Sequence, residues 1–138
     1  MVAPPFSLHE LHTNNVVSLA DYKGKPVMLT FWASWCPDSM KDLHQKNQLF
    51  ETMDKEKLHF LTVNVTGREG KAEDGPRYIQ EQSYRFPVLL DEGTKTYDAY
   101  RCMGVPTTVL LNEKQEIIAT YNDKSSFIDI MKGVSYLV

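Results

Sequence analysis

Residues 26 to 39, PVMLTFWASWCPDS, run an apolar segment straight into a cysteine that is followed by proline. The segment Pro26 to Ala33 is short, β-branched and aromatic, with one hydroxyl at Thr30, and so reads as a strand buried on both faces. Such a strand needs a neighbour on each edge and cover on each side, which places it at the centre of a sheet. Lys23-Gly24-Lys25 turns the chain into it, and Pro37 suits the first turn of a helix. Cys36 is therefore expected at a strand-to-helix junction.

The remaining pattern supplies what that strand requires. Met40, Leu43, Phe50 and Met53 recur at helical spacing after the cysteine, with polar Asn47 interrupting them. LHFLTVNV, residues 58 to 65, predicts a second strand, followed by a short helix over 76–83, a strand over 86–90 and a helix over 94–101. PTTVLL at 106–111 and EIIATY at 116–121 flank the turn 112–115 as an antiparallel hairpin. Phe127, Ile130, Met131 and Val134 mark a final helix. The start of the chain reads as a Pro4-Pro5 arm with a short edge strand at Val16 to Leu19, and GREGKAEDG, 67–75, as a solvated loop. The order implies one α/β domain over residues 1–138, a three-layer α/β/α sandwich with a mixed central sheet. An N-terminal extension precedes it, and one inserted helix-strand unit interrupts it.

Composition closes several other routes. The net charge is -3 and the basic residues are scattered, so no nucleic-acid partner is expected. The apolar runs fall far short of the roughly 20 residues that cross a bilayer, so no membrane span is expected. MVAPPFSLHEL lacks a basic start and an apolar core. As it stands the chain is expected to be cytoplasmic, and extracytoplasmic if a leader has been removed. Two cysteines, Cys36 and Cys102, form neither a disulfide framework nor a zinc spacing. His9 and His12, which could share a helix face, have no further ligand in register, and neither metal nor cofactor is expected.

A thiol is nucleophilic only as thiolate, and unpaired N–H groups at a helix start favour that anion. Cys36 is thus a candidate nucleophile rather than a small buried hydrophobe, because strand end, helix start, Trp32 and Trp35 coincide there.

FWASWCPDS resembles the active-site segment of the thioredoxin superfamily, where WCxxC follows the central strand and opens a helix. The wider context, APPFSLHEL, VVSLADYKGKPVMLTFWASWC and FPVLLDEGTKTYDAYRCMGVPTTVLLNEKQEII, is similar to the TlpA/ResA-like thiol-disulfide oxidoreductases, relatives of the peroxiredoxins. The likeness extends from about Ala3 to the last helix. It implies a thioredoxin-like fold, a protein or peptide thiol or disulfide as substrate, and a redox partner that recycles Cys36.

Carried onto this chain, the resemblance makes Cys36 the attacking cysteine, flanked by Trp35 and Pro37, and puts Ser39 where the resolving cysteine stands. Pro106 matches the family's cis-proline, whose preceding residue, Val105, pairs backbone to backbone with substrate; a strand-entry proline is the plainer reading. Thr30 replaces the buried aspartate of thioredoxins. Asp42 matches an acidic position of the TlpA/ResA group and is a candidate proton relay, or else a solvated helix-surface carboxylate. His44 stands where relatives kink the helix with proline and is a candidate to tune the thiolate. Cys102 takes an apolar packing position behind the proline loop, with a resolving role as the alternative if its sulfur lies near Cys36.

A serine hydroxyl cannot form a disulfide, so CPDS is expected to stall after the first exchange. Either Ser39 replaces a cysteine and traps the intermediate, or the chain is a native monothiol variant served by an outside thiol. Two other functions compete with thiol-disulfide exchange. One is a one-cysteine peroxidase, against which Ala33 stands where peroxiredoxins carry threonine. The other is a non-catalytic binding module on the same fold.

Overall fold

The computed structural model describes residues 1–138. Along the chain run β1 (Ser7–Glu10), β2 (Val16–Ser18), a 3-10 turn (Leu19–Tyr22), β3 (Val27–Trp32), α1 (Pro37–Thr52) and β4 (His59–Asn64). A second 3-10 turn (Thr66–Arg68), α2 (Asp74–Gln82), β5 (Val88–Leu90), α3 (Lys95–Ala99), β6 (Thr107–Leu111), β7 (Ile117–Tyr121) and α4 (Phe127–Ser135) complete it. The strands form one mixed sheet in the order β2-β1-β5-β4-β3-β6-β7.

All six residues of β3 are buried, as its unbroken apolar pattern requires. It lies parallel to β4 through α1 and antiparallel to β6, the inner strand of the hairpin. Period-two alternation divides it between two cores. Met28 and Trp32 pack with Leu43, Ile79, Ile130 and Val134, which puts α1, α2 and α4 on one face. Val27, Leu29 and Phe31 pack on the other with Tyr97, Tyr100, Leu19, Phe6 and Ala3. The sandwich is thus three-layered and unequal, with three helices on one side and α3 plus the N-terminal segment on the other. The inserted unit is α2-β5, which adds β5 parallel to β4.

Three expectations need correction. The N-terminal arm is a hairpin, because β1 pairs with β2 and with β5, joining His9 to Leu90, and so extends the sheet. Its alternation was hidden by Glu10, a carboxylate on the inward face. Glu10 is 6% exposed and accepts N–H bonds from His12 (3.0 Å), Thr13 (2.9 Å) and Val88 (3.0 Å). His9 and His12 accordingly share no helix: His9 lies on β1, and the His12 ring bonds the Phe86 carbonyl. In α1, Met40 faces solvent, and the buried face reads Ser39, Leu43, Lys46.

Candidate active site

β3 ends at Trp32, three residues turn, and Cys36 becomes the N-cap of α1 with extended backbone (φ -88, ψ 117) and Pro37 behind it. Proline costs nothing there, since its missing N–H would have no helical partner. Cys36 is 8% exposed, and its thiol points across to the loop before β6, donating to the Val105 carbonyl at 3.5 Å. The Val105–Pro106 peptide bond is cis. Trp35 and Met40, near Cys36 in the chain, and Met103, on the loop that leads to Val105, are exposed apolar side chains.

The loop carrying the cysteine is clasped by Glu69, from the stretch 67–75 whose charge pattern predicts a solvated loop. Glu69 turns inward and accepts from the Ser34 N–H (2.7 Å), the Ser34 hydroxyl (2.6 Å) and the Asn64 amide (2.7 Å). The Trp35 indole N–H donates to the Arg68 carbonyl, so the turn after β4 grips both residues ahead of Cys36. Charge-assisted bonds of this kind are worth about 1.5–3 kcal/mol each to a folded chain. Glu69→Ala is expected to lower stability by about 2 kcal/mol and to change Trp35 fluorescence, both read in one thermal melt.

Ser39 is fully buried and accepts a long bond, 3.4 Å, from the Ala33 N–H. One turn on, Asp42 Oδ2 faces the Lys46 ammonium at 2.8 Å and makes no hydrogen bond to any other group. Lys46 is wholly buried; its Nζ also donates to Thr30 Oγ1 at 2.8 Å and to Thr108 Oγ1. Thr30 and Thr108 are cross-strand partners on β3 and β6. Burial pulls the Lys46 ammonium below the usual lysine range, and Asp42 opposes that fall. Nothing in the sequence singles out Lys46 except its place at helical spacing from Ser39 and Leu43.

Asp42 also borders a cavity of ≈ 370 Å³ shared with Asp38, Lys41, Pro106 and Thr108. A larger cavity, ≈ 730 Å³, lies against α2 and Leu11-His12 and contains no thiol. The structure therefore brings Trp35, Cys36, Pro37, Ser39, Val105 and Pro106 together, with Asp42 one turn below. His44 projects to solvent from α1. Cys102 packs half-buried against the core that includes Cys36 and Val105, and burial, above all, pushes its thiol up to about 12.

Fold and site together define a thioredoxin-fold protein with one thiol at a helix start opposite a cis-proline loop. The chain belongs to the AhpC/TSA family, whose model matches residues 1–120. It is 33% identical over 98 residues to sporulation thiol-disulfide oxidoreductase A of Bacillus subtilis, covering 71% of this chain and 59% of that protein. It is 37% identical over 115 residues to the thioredoxin-like protein YneN of the same organism, covering 81% and 64%. The chain thus spans about three fifths of the length of such curated relatives. The crystal structure of StoA from Bacillus subtilis superposes with a TM-score of 0.82 at 26% identity, covering 96% of this chain and 98% of that one. The exposed lipoprotein thioredoxin of Streptococcus pneumoniae gives 0.82 at 25%, covering 97% and 100%.

Proposed function

We propose that this chain exchanges thiols and disulfides with a protein or peptide substrate through Cys36. The observation that carries the reading is the Cys36 Sγ held at the start of α1 against the carbonyl of Val105, beside cis-Pro106. In the reaction the thiol first loses its proton, and the S–H···O bond to Val105 is given up. The carbonyl is then free to accept a backbone N–H from an extended substrate. The sulfur attacks one substrate sulfur, a Cys36–substrate disulfide forms, and the bond electrons leave with the other substrate sulfur. In this reading the exposed apolar side chains of Trp35, Met40 and Met103 are the surface that substrate contacts.

Ser39 cannot release the substrate, so an outside thiol completes the cycle and acts as the recycling partner. Asp42 is the proton relay in this reading, since it borders the same cavity as Pro106. No helix is long and apolar enough to cross a membrane. The pneumococcal neighbour's description as an exposed lipoprotein favours a working place outside the cytoplasm.

The experiment is reaction with dithionitrobenzoate under native conditions. Cys36 is expected to label about a hundredfold or more faster than Cys102, whose raised pKa leaves it little thiolate. Equal rates would sink the proposal. Cys36→Ala is expected to abolish fast labelling, and client binding that survives it unchanged would favour a binding module.

A further inference from the structure

Lys46 does something the fold alone does not require. A buried lysine in a helix stripe is unfavourable unless paired, and methionine would fill the position without that cost. Here the amine has three partners: Thr30 and Thr108 hydroxyls from β3 and β6, and the Asp42 carboxylate from α1. The ammonium's three N–H groups are thereby satisfied. A hydroxyl both donates and accepts, so one threonine can turn its hydrogen toward the single lone pair of a neutral amine while the two remaining N–H groups keep the other threonine and Asp42. Both protonation states are accommodated without leaving an orphan. Asp42 is the only charged group within ion-pair reach, and its side chain, 12% exposed, opens the cluster to the cavity that Pro106 borders.

We propose that Lys46 is a positioning residue for thiol exchange at Cys36, a buried proton store that loads and unloads through Asp42. The proposal rests on the exchange reading above. When an incoming thiol attacks the Cys36 mixed disulfide, it must lose a proton. That proton passes to the Asp42 carboxylate and on to the Lys46 amine, which becomes ammonium. The incoming sulfur bonds to Cys36 Sγ, and the electron pair of the broken disulfide leaves with the departing sulfur. One disulfide forms and one breaks, with no net oxidation. Burial draws the amine toward the range where such a proton acceptor is effective.

The test uses the Cys36 mixed disulfide with thionitrobenzoate, released by glutathione, in the parent and in Lys46→Met. Lys46→Met can use only the glutathione thiolate, whereas the parent also uses the thiol whose proton Lys46 takes, so the ratio of their release rates isolates that transfer. The parent's advantage is expected to hold while the amine is charged and to fall about tenfold with rising pH once it is neutral, because ionised glutathione has no proton to give. A ratio that is flat with pH while both proteins still exchange would show a purely structural lysine and overturn the proposal. Failure of both to exchange would overturn the function instead. Should Lys46→Met not fold, the carbon-13 shift of Lys46 Cε in the parent reports the same coupling. Its titration midpoint is expected below the ordinary lysine value and displaced when Cys36 is capped. A midpoint unmoved by capping refutes the coupling.

Discussion

Ser39→Cys is expected to turn a stalled exchange at Cys36 into one that releases its substrate, leaving a disulfide in the first turn of α1 for an outside reductant to reopen. Residues three apart in a first helical turn face the same way, so a thiol at position 39 lies within reach of the Cys36 sulfur. It would attack the mixed disulfide intramolecularly, and effective concentrations inside a folded protein exceed those of any free thiol in solution. Release of a thionitrobenzoate or peptide adduct should accelerate by at least about 10³-fold over the serine protein in the absence of added thiol. Mild oxidation should give a protein with no free thiol in this turn, measured as the loss of two of its three thiols on titration in denaturant and recovered by reduction. The bond from Ser39 to the Ala33 N–H, already long, would be lost at little expense. No intramolecular crosslink after oxidation would mean that the first turn does not present both sulfurs to one another.

Asp42→Asn should be the most destabilising conservative change in the site. It leaves a fully buried ammonium facing a neutral amide, and breaking a buried pair costs about 3–5 kcal/mol. The lysine can escape by shedding its proton, which limits the loss to about 3 kcal/mol at neutral pH and makes it depend on pH. The Lys46 pKa is depressed in the folded chain, whereas the unfolded chain keeps the proton up to about 10.4. Between the folded value and that limit the unfolded state binds more protons, so stability rises with pH across the window. Removing Asp42 lowers the folded value further and widens the window. The deficit of Asp42→Asn relative to the parent should therefore shrink as pH rises toward 10, seen in denaturant midpoints at several pH values. Cys102, Tyr97 and Tyr100, pushed up by burial, act in the opposite sense at high pH in both proteins and cancel in the difference. A deficit independent of pH would mean that Lys46 keeps its charge throughout.

Much of this arrangement could be read from the letters, and the reason differs from element to element. β3 was legible because six consecutive buried positions leave no room for an alternative period, and Cys36-Pro37 then locates the helix start. The 106–121 hairpin was legible from its turn and its β-branched flanks. What escaped were single polar residues on inward faces, which look like breaks in a pattern until their partners are known. Glu10 hid β1 because its three N–H donors come from the following turn and from β5. Glu69 looked solvated because its partners, Ser34 and Asn64, are distant in sequence or on another element. Lys46 was concealed in the same way: its apolar-stripe position becomes tolerable only when β6 brings Thr108 beside Thr30.

The shallow exposure of Cys36 restricts geometry as much as access. Displacement at sulfur runs along a line through attacker, target and leaving atom, so burying the residue that carries the sulfur removes directions of approach. Under the proposed exchange, a disulfide therefore has few directions from which to meet Cys36. Cystines on floppy tails or loops can adopt one of them; those braced inside a rigid sheet cannot.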